Sequence, residues 1–234
     1  CRMARLCRVQ GIDHVHAHFG TTSTSVAMLA RLLGGPKYSF TVHGPDEFDR
    51  PTHLSLGMKV EHSVGAVAIS SFGRSQLYRW ARFADWPKVS VVHCALDPDW
   101  FVPLDKIRTR PPERLVTIGR LANAKGHGLL FQAMHKLRAA GIPVTLDLVG
   151  DGPLRSDLES MSRSLGLDGA VTFHGWQSGD TIRSLLEGAG AMVLSSFAEG
   201  LPVVMMEAMA TGCPVVSTRI TGVPELLEDG VTGF

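Results

Sequence analysis

The sequence predicts an α/β chain organised on two parallel sheets, and three observations predict it. From Ile12 onward, short apolar or β-branched runs alternate with helical patterns of roughly ten to fifteen residues, the rhythm of β-α-β units. The runs form two series, parted by Ala95–Arg114, a stretch rich in proline and charge with no clear period that reads as an inter-domain linker. Hydrophobic residues make up 44% of the 234 and charged ones only 19%, so a substantial core can be buried.

In order, the strands of the first series are DHVHAHF, YSFTVH, GAVAIS and VSVVHC, and those of the second are RLVTIGR, VTLDLVG, AVTFHG, AMVLSS and PVVSTR. Parallel neighbours need a crossover between them, and the helical patterns supply one each time, so two Rossmann-like sheets follow. The predicted domains are residues 1–107 and 108–234. Four strands are fewer than a doubly wound sheet usually has. Position 1 is Cys rather than Met, and the closing EDGVTGF stops where another element should begin. The chain therefore reads as a piece of a longer protein, with an incomplete first domain and a second lacking its last helices. An open sheet edge and uncovered apolar faces predict that such a piece aggregates or is inactive when expressed alone.

Twenty-three Lys and Arg against 22 Asp and Glu give a net charge of +1, which offers no broad footprint for nucleic acid. Four cysteines, Cys1, Cys7, Cys94 and Cys213, form no C-x-x-C pair and are too sparse for a disulfide framework, so a reducing, cytoplasmic compartment is expected. No run of 18 apolar residues occurs.

In open parallel sheets ligands bind outside the carboxyl ends of the strands, so the strand-to-helix loops carry the candidate site. TIGRLANAKGHGLL ends a strand at Gly119 and starts a helix near Lys125, putting Arg120 and Lys125 at one rim where both charges can meet an anion. A helix N-terminus adds oriented N–H groups and favours phosphate; two solvated surface side chains are the alternative. LVGDGPLRSDLE has glycines at 150 and 152, but it is neither G-x-G-x-x-G nor a Walker loop and predicts only a sharp turn. In SSFAEGLPVVMMEAMATGCPVVST, Pro202 fits the first turn of a helix running to about Ala210 and ending at Gly212. Glu199 then lies in the loop after a strand, and Glu207 in the body of a helix apolar on nearly every side. A buried Glu207 needs hydrogen-bond donors; a pair of ligand hydroxyls would supply them, and so would a structural ion pair.

These residues also carry a resemblance. Glu199, seven residues and Glu207, with Gly-Leu-Pro after the first and EAMATGCPVVST from the second, resemble the hallmark of the retaining sugar-nucleotide glycosyltransferases of family four, which have the two-domain GT-B fold. IGRL with Lys125-Gly126, LVGDGP, VTFHGW and TGVPELLEDGVTGF occur in that family's order, and HVHAHFG, FTVHGPDEF and AVAIS resemble the later part of its acceptor-side domain. The resemblance covers nearly the whole chain. It implies a GT-B-like fold with an incomplete N-terminal domain and a UDP- or GDP-sugar donor as substrate, with no cofactor and no metal. It further implies transfer with retention to a saccharide or lipid-linked acceptor, as in bacterial surface-polysaccharide or glycolipid assembly. By this resemblance Arg120 and Lys125 hold the donor diphosphate and Glu207 the ribose hydroxyls. Glu199, with backbone groups of Gly200, Leu201 and Pro202, binds the donor sugar, and Gly119 and Gly150 belong to the same donor site. Trp176 matches the loop that packs by the base, His43 faces the sugar, and His18 and Glu47 are candidate acceptor contacts. A nucleotide-sugar epimerase on the same fold and a non-catalytic nucleotide-binding subunit are the alternative readings.

Two further motifs stay open. His14, His16 and His18 share one face of a strand, and alternate histidines can bind zinc, but no cysteine cluster or nearby carboxylate completes a site. SSFGRSQLYRWARFADWPK interleaves Arg74, Arg79 and Arg82 with Tyr78, Trp80, Phe83 and Trp86. That pattern suits peripheral contact with the inner face of the cytoplasmic membrane or a lipid-linked acceptor, and equally a helix whose aromatics cover the sheet.

Overall fold

The structure, a computed structural model, describes residues 2–107 and 109–234. The chain divides into two compact units, Cys1–Cys94 with Glu199–Leu201, and Ala95–Ala198 with Pro202–Phe234.

In the first unit, helix α1 (Arg2–Val9) precedes β1 (His14–His18), α2 (Thr22–Leu32), β2 (Lys37–Val42), the short α3 (Asp46–Asp49), α4 (Leu56–His62), β3 (Gly65–Ala68), α5 (Ser71–Trp80) and β4 (Val89–Val91). The strands pair in parallel in the order β1-β2-β3-β4. Strand alternation sorts the side chains: Ala17, Tyr38, Phe40, Val42, Ala66 and Ala68 enter one buried cluster with Val60 and Leu77. The histidines and the hydroxyls of Ser39 and Thr41 turn to the other face. The long aromatic segment is not one helix. α5 ends at Trp80 and a 3-10 turn, Phe83–Lys88, follows. Leu77 is buried and Tyr78 stacks on Trp86 at 4.3 Å, so part of the segment covers the sheet, while Trp80 and Phe83 are exposed.

In the second unit, β5 (Arg114–Ile118), α6 (His127–Ala139), β6 (Thr145–Val149), α7 (Arg155–Ser164), β7 (Val171–Gly175), α8 (Gly179–Gly188), β8 (Ala191–Leu194), α9 (Val203–Ala210) and β9 (Val215–Ser217) build a parallel sheet of order β7-β6-β5-β8-β9. The order reverses between β5 and β8, which makes the crevice beyond their carboxyl ends the topological switch point. Each face of the sheet buries its own apolar cluster. Leu130, Phe131 and Met134 of α6 and Leu158 of α7 cover Leu146 and Leu148. Leu185 and Leu186 of α8 with Met205 and Ala208 of α9 cover Val116, Ile118, Val149 and Met192. The buried positions fall on β5, β6, β8 and β9, while the edge strand β7 carries none.

The segment before β5 is tied to the second unit from Ala95, ahead of the boundary expected at 107. Trp100 packs on the α8–α9 core, the Val102 N–H donates to the Ala210 carbonyl, and the Arg110 guanidinium donates to the carbonyls of Glu187, Thr211 and Gly212. Those carbonyls lie at helix ends, where C=O groups lack intrahelical donors. α9 itself closes as the proline–glycine pattern implied. Pro202 caps it, and Gly212 adopts φ +72° while Gly212 and Cys213 donate to the Met209 and Ala208 carbonyls. The helix is less enclosed than its composition implied: Met205, Ala208 and Ala210 are buried, Val203 is exposed and Glu207 is half-buried.

Candidate functional site

The loops after β5 and β6 are held in close contact by missing side chains. Gly150 has φ +132°, and a Cβ there would lie 2.0 Å from the Gly119 carbonyl oxygen, so only glycine fits. The Gly119 N–H donates to the Val149 carbonyl, Gly150 to Gly175, and Leu121 to Asp151. These bonds open a cleft of about 380 Å³ beyond β5, β6 and β7, lined by Gly119, Arg120, Gly150, Asp151, Trp176 and Gln177 among others. Four residues expected at a donor site thus share one cleft. Arg120 is exposed on its rim, and Trp176 presents an indole that is 81% exposed. A larger hollow of about 650 Å³ is lined by residues that precede β5, β8 and β9, among them Phe101, Arg110, Arg183 and Thr211, rather than by strand carboxyl ends.

Lys125 reaches the same corner by a different route from the one expected. The helix does not begin there: Asn123–Lys125 form a 3-10 turn, Gly126 follows at φ +63°, and α6 starts at His127. A Cβ on Gly119 would meet Lys125 Cδ at 3.6 Å, so the lysine stem lies over Gly119. At the switch point the β5 and β8 loops are laced together. Ser195 Oγ donates to the Lys125 and Gly126 carbonyls at 3.1 Å, and the Phe197 N–H donates to Ala124 at 2.7 Å. His127 is buried beneath. Its Nε2 lies 3.3 Å from the Arg120 carbonyl, its Nδ1 is buried without a partner among the described residues, and burial pushes its pKa down. Neither Ser195 nor His127 carried a signal in the sequence beyond proximity to the motifs.

Glu207 stands in the second turn of α9 counted from Pro202, and its carboxylate has no hydrogen bond or ion pair among the described residues. Burial pushes its pKa up, because no donor compensates for the water removed from the charge. Of the remaining donor-site candidates, Glu199 and Leu201 are buried and fall, with Gly200, in the loop grouped with the first unit, while Pro202 is buried at the start of α9.

Within the first unit, His18 and His43 are brought together, with His18 Nδ1 2.9 Å from His43 Nε2. Burial lowers the His43 pKa, and the neighbouring His18 and His16 lower it further. Glu47 lies beside them, bonded to the His43 backbone. It is 2% exposed, and its oxygens accept from the backbone N–H groups of Gly20, His43 and Gly44, so its carboxylate braces the loops. Burial pushes its pKa up against the pull of those three bonds. Lys59, also fully buried, donates to the Gly20 and Thr21 carbonyls. The β1 histidines are occupied by hydroxyls: His14 and His16 bond Ser39, and His16 also bonds Thr41. Among the described residues no three His, Cys, Asp or Glu side chains converge as a metal site. Nor is any helix among them long and apolar enough to cross a membrane.

Two parallel sheets, each built from β-α-β units, are the architecture of the GT-B class of α/β fold. Solved structures agree on the fold. Anabaena Alr3699/HepE in complex with UDP and glucose matches 99% of this chain and 66% of its own, at 21% identity and a TM-score of 0.83. The sucrose-phosphate synthase from Thermosynechococcus elongatus matches 98% and 62%, at 23% identity and 0.82. Residues 112–234, more than half of the chain, match the family described as glycosyl transferases group 1, and the chain belongs to that family. Among curated relatives, the α-D-kanosaminyltransferase of Streptomyces kanamyceticus is 36% identical over 243 residues, which cover 94% of this chain and 63% of the relative. The D-inositol 3-phosphate glycosyltransferase of Mycobacterium sp. (strain KMS) is 32% identical over 163 residues, or 64% and 36%. The chain thus spans less than two thirds of the length of either.

Proposed function

We propose that this chain forms the donor-binding core of a retaining glycosyltransferase that moves a hexose-type sugar from a UDP- or GDP-sugar to a saccharide or lipid-linked acceptor. The observation that carries the reading is the cleft beyond β5, β6 and β7, where Gly119, Arg120, Gly150 and Trp176 meet within reach of Lys125. The names of relatives support it: one is a kanosaminyltransferase, and one structural neighbour was solved with UDP and glucose.

In this reading Arg120 and Lys125 face the diphosphate and Trp176 flanks the base. Glu207 accepts hydrogen bonds from the ribose hydroxyls, which supply the donors its carboxylate lacks. Breaking the glycosyl–phosphate bond builds negative charge on the departing diphosphate, and fixed cations lower that barrier without a metal ion. The acceptor oxygen bonds to the anomeric carbon on the face the diphosphate leaves, and the diphosphate takes the acceptor's proton. Glu199 holds the sugar and is not a nucleophile. The exposed Trp80 and Phe83, with Arg74 and Arg79 nearby in sequence, support a lipid-linked acceptor or a peripheral membrane contact.

The test is donor turnover by the full-length protein and by its Glu199→Ala variant. Loss of transfer with UDP binding retained supports the assignment, and wild-type turnover by the variant sinks it. Epimerised donor without acceptor would favour the epimerase, and saturable nucleotide binding with no donor breakdown across varied acceptors would favour a binding subunit.

A further inference from the structure

The face of β1 and β2 opposite the core carries a ladder of rings and hydroxyls. His14 Nε2 and His16 Nδ1 lie 2.8 and 2.7 Å from Ser39 Oγ, His16 Nε2 is 2.9 Å from Thr41 Oγ1, and His18 Nδ1 is 2.9 Å from His43 Nε2. The last rung differs in kind. A hydroxyl can turn to donate or accept, but two imidazole nitrogens make a bond only when one holds the proton and the other its lone pair. A neutral imidazole has a single N–H, so the role of His43 Nε2 in this bond dictates the role left to its Nδ1.

His43 has little freedom to escape that constraint. Its backbone N–H donates to Glu47, and its ring lies 4.7 Å from the Phe19 ring and 5.1 Å from the His18 ring. His18 is the more exposed of the two rings, and a neutral His18 that carries its proton on Nδ1 donates to His43 Nε2. The other titratable groups of this unit near the pair are His14 and His16 on β1, Asp46 and Glu47 on α3, Lys59 on α4, and Glu199 in the loop grouped with the unit. Glu47 and Lys59 are engaged by backbone groups, and His16 by its two hydroxyls.

We propose that His18 is a positioning residue for His43: by donating from Nδ1 to His43 Nε2 it keeps the His43 proton on Nδ1, so that His43 meets a sugar hydroxyl as a hydrogen-bond donor. That His43 meets the sugar rests on the function proposed above, whereas control of the tautomer does not. The pairing also explains why two histidines 25 residues apart sit at the ends of adjacent strands with matched nitrogens.

Ring-nitrogen NMR of the ¹⁵N-labelled full chain tests the tautomer directly. His43 should show a protonated Nδ1 and a lone pair on Nε2. His18→Phe keeps a ring of similar size and removes the nitrogen; His43 should then revert to the Nε2–H form, and kcat should fall about tenfold, as expected for one lost bond. His18→Asn places an amide donor where Nδ1 stood and should restore both. Superimposable backbone amide spectra establish that each variant folds. Unchanged His43 ring shifts in His18→Phe overturn the proposal, as does wild-type kcat in that variant. If the shifts move as stated while no form of the protein turns over a donor, tautomer control stands and the proposed function fails.

Discussion

Glu47 and Lys59 grip one residue, Gly20, from opposite sides: the Gly20 N–H donates to Glu47 Oε1, and Lys59 Nζ donates to the Gly20 carbonyl at 2.7 Å. Two buried charges of opposite sign are thereby joined through backbone rather than by a direct ion pair. The β1–α2 turn, the start of α3 and the middle of α4 are pinned to one another, and the backbone of His43 is held in the same knot.

Removing either end of this arrangement leaves a buried charge or backbone group unsatisfied. Glu47→Ala and Lys59→Ala should each destabilise the chain by about 3 kcal/mol in urea titrations. The double variant should lose less than the sum, since the second change removes the charge orphaned by the first. Strict additivity would show that the two groups are uncoupled.

Gly126 admits no side chain on two counts, its φ of +63° and a would-be Cβ 2.0 Å from the Ser195 carbonyl oxygen. Gly126→Ala should therefore cost roughly 3 kcal/mol or force the β5 and β8 loops apart. Thermal unfolding measures the first outcome, and weakened nucleotide binding the second. A variant unchanged in both would contradict the packing.

Glu207 links stability to pH with a definite sign. Its pKa is raised in the folded chain, so the folded state holds its proton to higher pH than the unfolded state does. Its ionisation therefore lowers stability as pH rises from the ordinary carboxylate range through the raised folded pKa. Glu207→Gln should be more stable than the parent at neutral pH, with the advantage vanishing below the ordinary carboxylate range. The same variant should bind UDP more weakly, because the amide is a poorer acceptor for ribose hydroxyls.

Arg120 and Lys125 should act on the diphosphate and not on the nucleoside. In calorimetric titrations, Arg120→Gln and Lys125→Met should each weaken UDP binding by roughly ten- to a hundredfold and leave uridine binding unchanged. Equal losses for both ligands would place these side chains elsewhere.

The nine strands among the described residues, and their order along the chain, were legible because each is a short run bounded by a glycine, proline or polar break, and parallel sheets demand the intervening helices. The end of α9 was equally plain, since Pro202 and Gly212 each have a conformational reason to stand where they do. The start of α6 was not. A helical pattern across AKGHGLL cannot register that Gly126 turns left-handed and inserts a 3-10 turn before the helix. Glu47 entered only as a candidate acceptor contact implied by the resemblance, and nothing in PDEFD signals its burial. The groups that bury it include the N–H of a residue 27 positions earlier, and Lys59, which holds the same residue's carbonyl, looks like any solvated lysine in GMKVEH. Local pattern reveals periodicity and caps; it does not reveal which distant backbone groups will need a charged partner.

The lacing of the β5 and β8 loops bears on how such a cleft can be re-tailored. Ser195 is bonded to the carbonyls of Lys125 and Gly126, and Phe197 to Ala124, so residues 124–126 and 195–197 are joined across the two loops. A transplant of either loop from a relative with different sugar preference would arrive without its counterpart and open the seam between them. Exchanged as a matched pair, the two would carry both the cationic rim and the start of the Glu199 loop into the new host in register.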